Sequence, residues 1–125
     1  MSKILIIDDE PQLIGMLRAS LEANGYKVIS APDGEEGLKQ ASMEKPDLIL
    51  LDIMMPGMDG LEVLTRLKND LETNSIPVIM LTAKGGTSAI MEAQRSFATD
   101  YVIKPFETEH LLRLIKAYLR TNPDI

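Results

Sequence analysis

A chain of 125 residues and 13.8 kDa is long enough for one compact domain that buries roughly two-thirds of its unfolded surface, and too short for two. Its 45% hydrophobic and 26% charged residues exclude a disordered chain, and its net charge of -6 excludes the basic surface that nucleic acid or anionic membrane would require. A protein partner is expected instead. With no cysteine, disulfides, thiolate nucleophiles and Cys-based zinc sites are all ruled out, and the single His110 cannot build a metal cluster.

The first apolar run, Ile4-Leu5-Ile6-Ile7, is stopped at once by Asp8-Asp9-Glu10. It is far too short for a signal-peptide core or a membrane span, so it reads as a strand of a cytoplasmic protein. Pro11 to Asn24 carries Leu13, Leu17 and Leu21 at a spacing of four, with Pro11 suited to the first turn of a helix and Gly25 to its C-terminal cap. Lys27-Val28-Ile29-Ser30 is short and more polar, as on a sheet edge. Asp33-Gly34-Glu35-Glu36 resembles a capping box for a second helix, which must stop before Pro46. Leu48-Ile49-Leu50-Leu51 is a third strand. Asp59 can cap a third helix with Leu64, Leu67 and Leu71 in one stripe, and Ser75-Ile76-Pro77 leads into the strand Val78-Ile79-Met80-Leu81. A fourth helix is predicted near Thr87 to Ser96, a fifth strand at Tyr101-Val102-Ile103, and a fifth helix from about Thr108 to Leu119 with Leu111, Leu112, Ile115 and Leu119 facing inward.

Strict alternation of strand and helix calls for an α/β fold, a doubly wound parallel sheet with right-handed crossovers and helices on both faces. For five strands the common order is 2-1-3-4-5, which opens a crevice where the direction of growth reverses between strands 1 and 3. Polar residues able to do chemistry follow four of the five apolar runs: Asp8 and Asp9, Asp52, Thr82, and Lys104. All are at C-terminal strand ends, which this order places side by side. Taken singly, each has a structural explanation: a helix cap for Asp8 or Asp9, a loop carboxylate for Asp52, a strand end for Thr82, a solvated charge for Lys104. Together they imply more. Carboxylates 4 Å apart repel by about 4 kcal/mol per pair at an effective dielectric of 20, so a cation is expected among them. Oxygen ligands with open positions suit Mg²⁺, with Mn²⁺ as a substitute, and Mg²⁺ commonly works with a phosphate. In such a site Asp52 is the nucleophile toward phosphorus, and Lys104 and Thr82 bind the phosphoryl oxygens.

Four stretches carry a family resemblance: Ile4-Leu5-Ile6-Ile7-Asp8-Asp9-Glu10, then Pro46-Asp47 through Asp59-Gly60, then Pro77-Val78-Ile79-Met80-Leu81-Thr82-Ala83-Lys84, and Asp100-Tyr101-Val102-Ile103-Lys104-Pro105-Phe106. From Lys3 to about Arg120 the chain resembles a response-regulator receiver domain of two-component signalling, of the chemotaxis type. Chemotaxis receivers are themselves an example of the 2-1-3-4-5 order, so the resemblance supports the strand order as much as the pattern does. It implies a flavodoxin-like receiver domain over residues 1–121, with 122–125 a C-terminal tail or the start of a linker.

The resemblance also implies residue roles. Asp9, Asp52 and the backbone carbonyl of Met54 would ligate Mg²⁺, with Asp8 acting largely through water. Ala83 would donate its backbone N–H to the phosphoryl group, the Lys104-Pro105 bond would be cis, and Thr82 and Tyr101 would form a switch pair. Tyr101 turning inward would remodel the surface of the fourth helix, fifth strand and fifth helix. The partners implied are a histidine kinase or histidine phosphotransfer domain and a downstream protein partner or output domain, with no direct nucleic acid and no membrane. Such a chain is a phosphoacceptor and not an enzyme in the ordinary sense.

The chain departs from the family pattern in several places. Phe97-Ala98-Thr99-Asp100 stands where many receivers carry Gly-Ala-Asp-Asp, and Gly85-Gly86 precedes it, so the fourth helix is either simply irregular or specialised for its partner. Leu114 stands where relatives that dimerise through this face often carry a basic residue. Met54, Met55 and Met58 read as gap-filling core. Met54 and Lys84 occupy positions that tune dephosphorylation, and neither offers a carboxamide or carboxylate to orient water, so a long-lived phosphoryl form is expected. Two other readings stay open. A Mg²⁺-dependent phosphohydrolase would cluster carboxylates in the same way, although Asp52-Ile53-Met54 lacks the second aspartate of haloacid-dehalogenase-type phosphatases. A degenerate receiver would act only as an interaction module.

Overall fold

The structure, a computed structural model, describes residues 2–83 and 99–120. Among these residues are five strands and four helices. They are β1 (Lys3–Ile7), α1 (Pro11–Ala23), β2 (Lys27–Ala31), α2 (Gly34–Glu44), β3 (Leu48–Asp52), α3 (Gly60–Lys68), β4 (Val78–Ala83), β5 (Asp100–Lys104) and α4 (Thr108–Arg120), which alternate up to β4 and again after β5. The sheet is parallel throughout and runs β2-β1-β3-β4-β5, with the direction of growth reversing between β1 and β3. The helix predicted near Thr87 to Ser96, together with Gly85, Gly86, Phe97 and the tail from Thr121, lies outside the described residues.

The strands without alternation are explained by a core on each side of the sheet. Leu5, Ile7, Ile49 and Leu51 pack on one face with Ala41 of α2 and Val63, Leu64 and Leu67 of α3. Ile4, Ile6, Leu48 and Leu50 pack on the other with Leu17 and Leu21 of α1 and Leu111 and Ile115 of α4. Because successive side chains point to opposite faces, both sets of a central strand must be apolar.

Helix ends follow local chemistry. Asp33 and Asp59 each accept a bond from the backbone N–H three residues on, at 2.9 and 3.0 Å, and so cap α2 and α3. After α1, Gly25 takes the left-handed backbone (φ +89°) that its place past the helix end demands. The stripe predicted for the third helix is corrected at its last member. α3 ends at Lys68, and Leu71 is 89% exposed. The chain leaves the helix through turns built on Asp70, whose carbonyl accepts from Thr73 and Asn74 and whose side chain accepts from Glu72. A spacing of four beyond Leu67 therefore no longer points at the core, and Ile76 is buried instead. Leu112 and Leu119, predicted to face inward, are only partly buried, and Leu114 packs beside them against the same core.

Candidate functional site

The site is assembled by sheet register. Ile7 pairs with Leu51, so Asp8 and Asp52 each follow a member of one pair on adjacent strands. Asp52 pairs with Leu81, immediately before Thr82, and Ala83 at the end of β4 pairs with Lys104. Residues up to 96 positions apart are thus gathered at one sheet end.

Asp8 and Asp52 are almost wholly buried, whereas Asp9 is exposed at the rim. One carboxylate oxygen from each of the three lies within 4.8 Å of the others. Two buried carboxylates at this separation need compensation, and Asp8 has it on both oxygens. Its Oδ1 accepts the backbone N–H of Glu10 at 2.9 Å and its Oδ2 the ammonium of Lys104 at 3.2 Å. Asp52 Oδ1 accepts the N–H of Met54 at 3.2 Å and lies 3.4 Å from Lys104 Nζ. Lys104 also reaches Glu10 Oε1 at 3.2 Å.

Burial, and next the charge of Asp8, push the Asp52 carboxyl up to about 6, with Lys104 and the Met54 N–H offsetting part of the rise. For Lys104, burial alone would lower the ammonium's pKa, but the charges of Asp52 and Asp8 and the bonds to Asp8 and Glu10 outweigh it and the pKa is raised. The ammonium is therefore firmly charged. Among the described residues, Asp8, Glu10 and Asp52 face the Lys104 ammonium and Asp9 lies beside Asp8 and Asp52, an excess of negative charge that a hard divalent ion would neutralise. The all-oxygen donor set of Asp8, Asp9 and Asp52 fits Mg²⁺ chemistry.

Known proteins share the sequence pattern and fold of this chain. The family model for the response regulator receiver domain matches residues 4–116. The chain belongs to the response regulator receiver family. PilH of Pseudomonas aeruginosa is 42% identical over 119 residues, covering 95% of this chain and 98% of PilH. The alkaline phosphatase synthesis transcriptional regulatory protein PhoP of Bacillus subtilis is 44% identical over 120 residues, covering 96% of this chain but 49% of PhoP, so the chain spans about half of that relative. Among solved structures, the chemotaxis protein CheY4 of Vibrio cholerae matches with a TM-score of 0.88 at 31% identity, covering 94% of this chain and 98% of that one.

In this receiver the remaining predicted residues fall as follows. Thr82 is buried at the end of β4, and Tyr101 is half-buried on β5. Thr82 pairs with Ile103 and Met80 with Tyr101, so Thr82 and Tyr101 share one face of the sheet. The Lys104-Pro105 bond is cis. Met55 is buried and Met58 packs against the core, but Met54 is 68% exposed. The core reading is thus corrected for Met54, whose side chain is turned outward while its backbone N–H turns back to Asp52. Lys84 lies outside the described residues.

Two residues of the receiver site were not singled out in the sequence. Glu10 is the third carboxylate on Lys104, and a glutamate before a proline reads only as a helix start. At Gly60, an added Cβ would stand 2.2 Å from the carbonyl oxygen of Asp52, so only glycine lets the start of α3 pack directly on the backbone of Asp52. The glycine of Asp59-Gly60 carried that information as a close backbone approach. Thr99, which departs from the family pattern, and Asp100, which keeps it, hold structure. Thr99 Oγ1 accepts the N–H of Val78 at 3.0 Å, and Asp100 accepts the Tyr118 hydroxyl at 2.8 Å.

Proposed function

We propose that this receiver is a phosphorelay switch in which Asp52 accepts a phosphoryl group from a histidine kinase or histidine phosphotransfer domain. The observation that carries the reading is the buried Asp52 carboxylate, flanked by Asp8 and Asp9 and facing Lys104 at 3.4 Å. An Asp52 oxygen attacks phosphorus, the bond from phosphorus to the donor's nitrogen breaks with the electron pair leaving on the donor, and an acyl phosphate forms. Asp8, Asp9 and Asp52, with the carbonyl of Met54, would hold Mg²⁺ or Mn²⁺. The ion supplies charge neutralisation on the phosphoryl oxygens. Lys104 and Thr82 bind those oxygens, and the backbone N–H of Ala83 donates to them.

Movement of Thr82 toward the phosphoryl group draws Tyr101 inward on the same face of the sheet. The surface made by β5, α4 and the predicted helix near Thr87 to Ser96 changes in response. That surface meets a downstream protein partner or an output domain, in the cytoplasm. With Met54 and Lys84 offering no group to orient water, the phosphoryl form is long-lived.

The test is intact mass after incubation with acetyl phosphate and Mg²⁺, comparing wild type with Asp52→Asn. Added phosphoryl mass in the wild type alone is expected. None in the wild type would overturn the switch reading and favour a degenerate module. Continuous release of inorganic phosphate from phosphate monoesters would favour a phosphohydrolase.

A further inference from the structure

Glu10 follows the acidic pair Asp8 and Asp9, yet its side chain does something they do not: it reaches outward to the same ammonium that Asp8 holds from within. Lys104 Nζ lies 3.2 Å from Glu10 Oε1, 3.2 Å from Asp8 Oδ2 and 3.4 Å from Asp52 Oδ1. An ammonium has three N–H donors: two are hydrogen-bonded to Asp8 and Glu10, and Asp52 is held as an ion pair at 3.4 Å. A phosphoryl oxygen that Lys104 is to bind competes with these carboxylates for the ammonium.

The three partners are unequal. Asp8 has no exposed surface, and losing Lys104 would leave it a desolvated charge. Asp52 carries the phosphoryl group itself. The side chain of Glu10 is 61% exposed, so water solvates its carboxylate as soon as the ammonium leaves. Glu10 is the partner that releases at least cost.

The backbone of Glu10 is held independently of its side chain. Its N–H donates to Asp8 Oδ1 at 2.9 Å, and as the N-cap of α1 it makes no side-chain cap bond, with Pro11 following. Changing the side chain therefore removes no helix cap.

We propose that Glu10 is a positioning residue for Lys104, holding the ammonium at the mouth of the pocket in the resting state and competing for it with incoming phosphoryl oxygens. This rests on the phosphoacceptor reading above. The exchange breaks one ion pair and forms another, with no proton transferred. The side chain at this position thereby sets how fast Asp52 is phosphorylated.

The experiment follows phosphoryl uptake from acetyl phosphate at saturating Mg²⁺ by intact mass, for wild type, Glu10→Gln, Glu10→Asp and Asp52→Asn, at low and high ionic strength. Glu10→Gln is expected to react about 1.5- to 5-fold faster than wild type at low salt, the range of one exposed ion pair. The gain should shrink at high salt because an exposed pair is screened. Glu10→Asp keeps the charge but is one methylene shorter, and it should behave like Glu10→Gln. The proposal is overturned by a Glu10→Gln rate equal to or below wild type, by a gain that ignores salt, or by a Glu10→Asp rate matching wild type. A wild type labelled on Asp52 alongside an unchanged Glu10→Gln overturns this proposal alone. A wild type that takes up no phosphoryl group overturns the phosphoacceptor reading as well.

Discussion

Lys104 Nζ and Asp8 Oδ2 lie 3.2 Å apart across 96 positions of sequence, and the aspartate has no exposed surface. Removing one partner of a buried pair costs more than the pair contributes, because the survivor keeps its desolvated charge. Lys104→Met should therefore lower stability by about 3 kcal/mol in EDTA, read from urea midpoints, and Mg²⁺ should restore part of the loss. An unchanged midpoint would show that Asp8 does not depend on this ammonium.

Stability should also depend on pH through Asp52. Its pKa is raised to about 6 in the folded state from a usual value of 3.8, so the folded state binds the proton more tightly than the unfolded one. The resulting stabilisation is complete below about 3.8 and is lost as pH rises through about 6. At pH 8 in EDTA, Asp52→Asn should be more stable than wild type by on the order of 2 kcal/mol, and the gap should narrow toward pH 4.5. Urea unfolding of both proteins across this range checks it. A gap independent of pH would contradict the assignment.

Asp9 is exposed, but its carboxylate lies within 4.8 Å of the other two. Asp9→Asn should melt slightly higher than wild type without metal, because one repulsion is removed, and should lose most of the Mg²⁺ response. For the wild type, Mg²⁺ at a hundred times its dissociation constant should add about 2.7 kcal/mol. Thermal melts with and without Mg²⁺ measure both effects, and a lower metal-free melting point for the variant would count against repulsion.

Gly60→Ala tests the seat of Asp52. With an added Cβ only 2.2 Å from the Asp52 carbonyl oxygen, either the start of α3 or the end of β3 must shift. A loss of about 1–3 kcal/mol is expected, together with slower phosphoryl uptake. Full stability and an unchanged rate would mean that the backbone has room to yield.

The residues proposed to carry chemistry were legible as a set because a buried parallel strand announces itself as an uninterrupted apolar run, and Asp8, Asp52, Thr82 and Lys104 each follow one closely. The caps at Asp33 and Asp59 and the turn at Gly25 were legible for a similar reason, since each acts within a few residues of itself. Leu71 marks where this reasoning stops. Its spacing continued the stripe of α3, but turns centred on Asp70 ended the helix first.

Sequence by itself determined the alternating elements, the two-sided core and the set of polar strand ends, because these depend on periodicity and on bonds between near neighbours. Tertiary structure alone decided that Lys104 serves three carboxylates at once, that Asp8 is sealed while Asp9 is open, that Met54 faces outward, and that Gly60 touches the backbone of Asp52. Those facts depend on where crossovers set one strand end against another, and no local pattern along the chain records distances across a sheet.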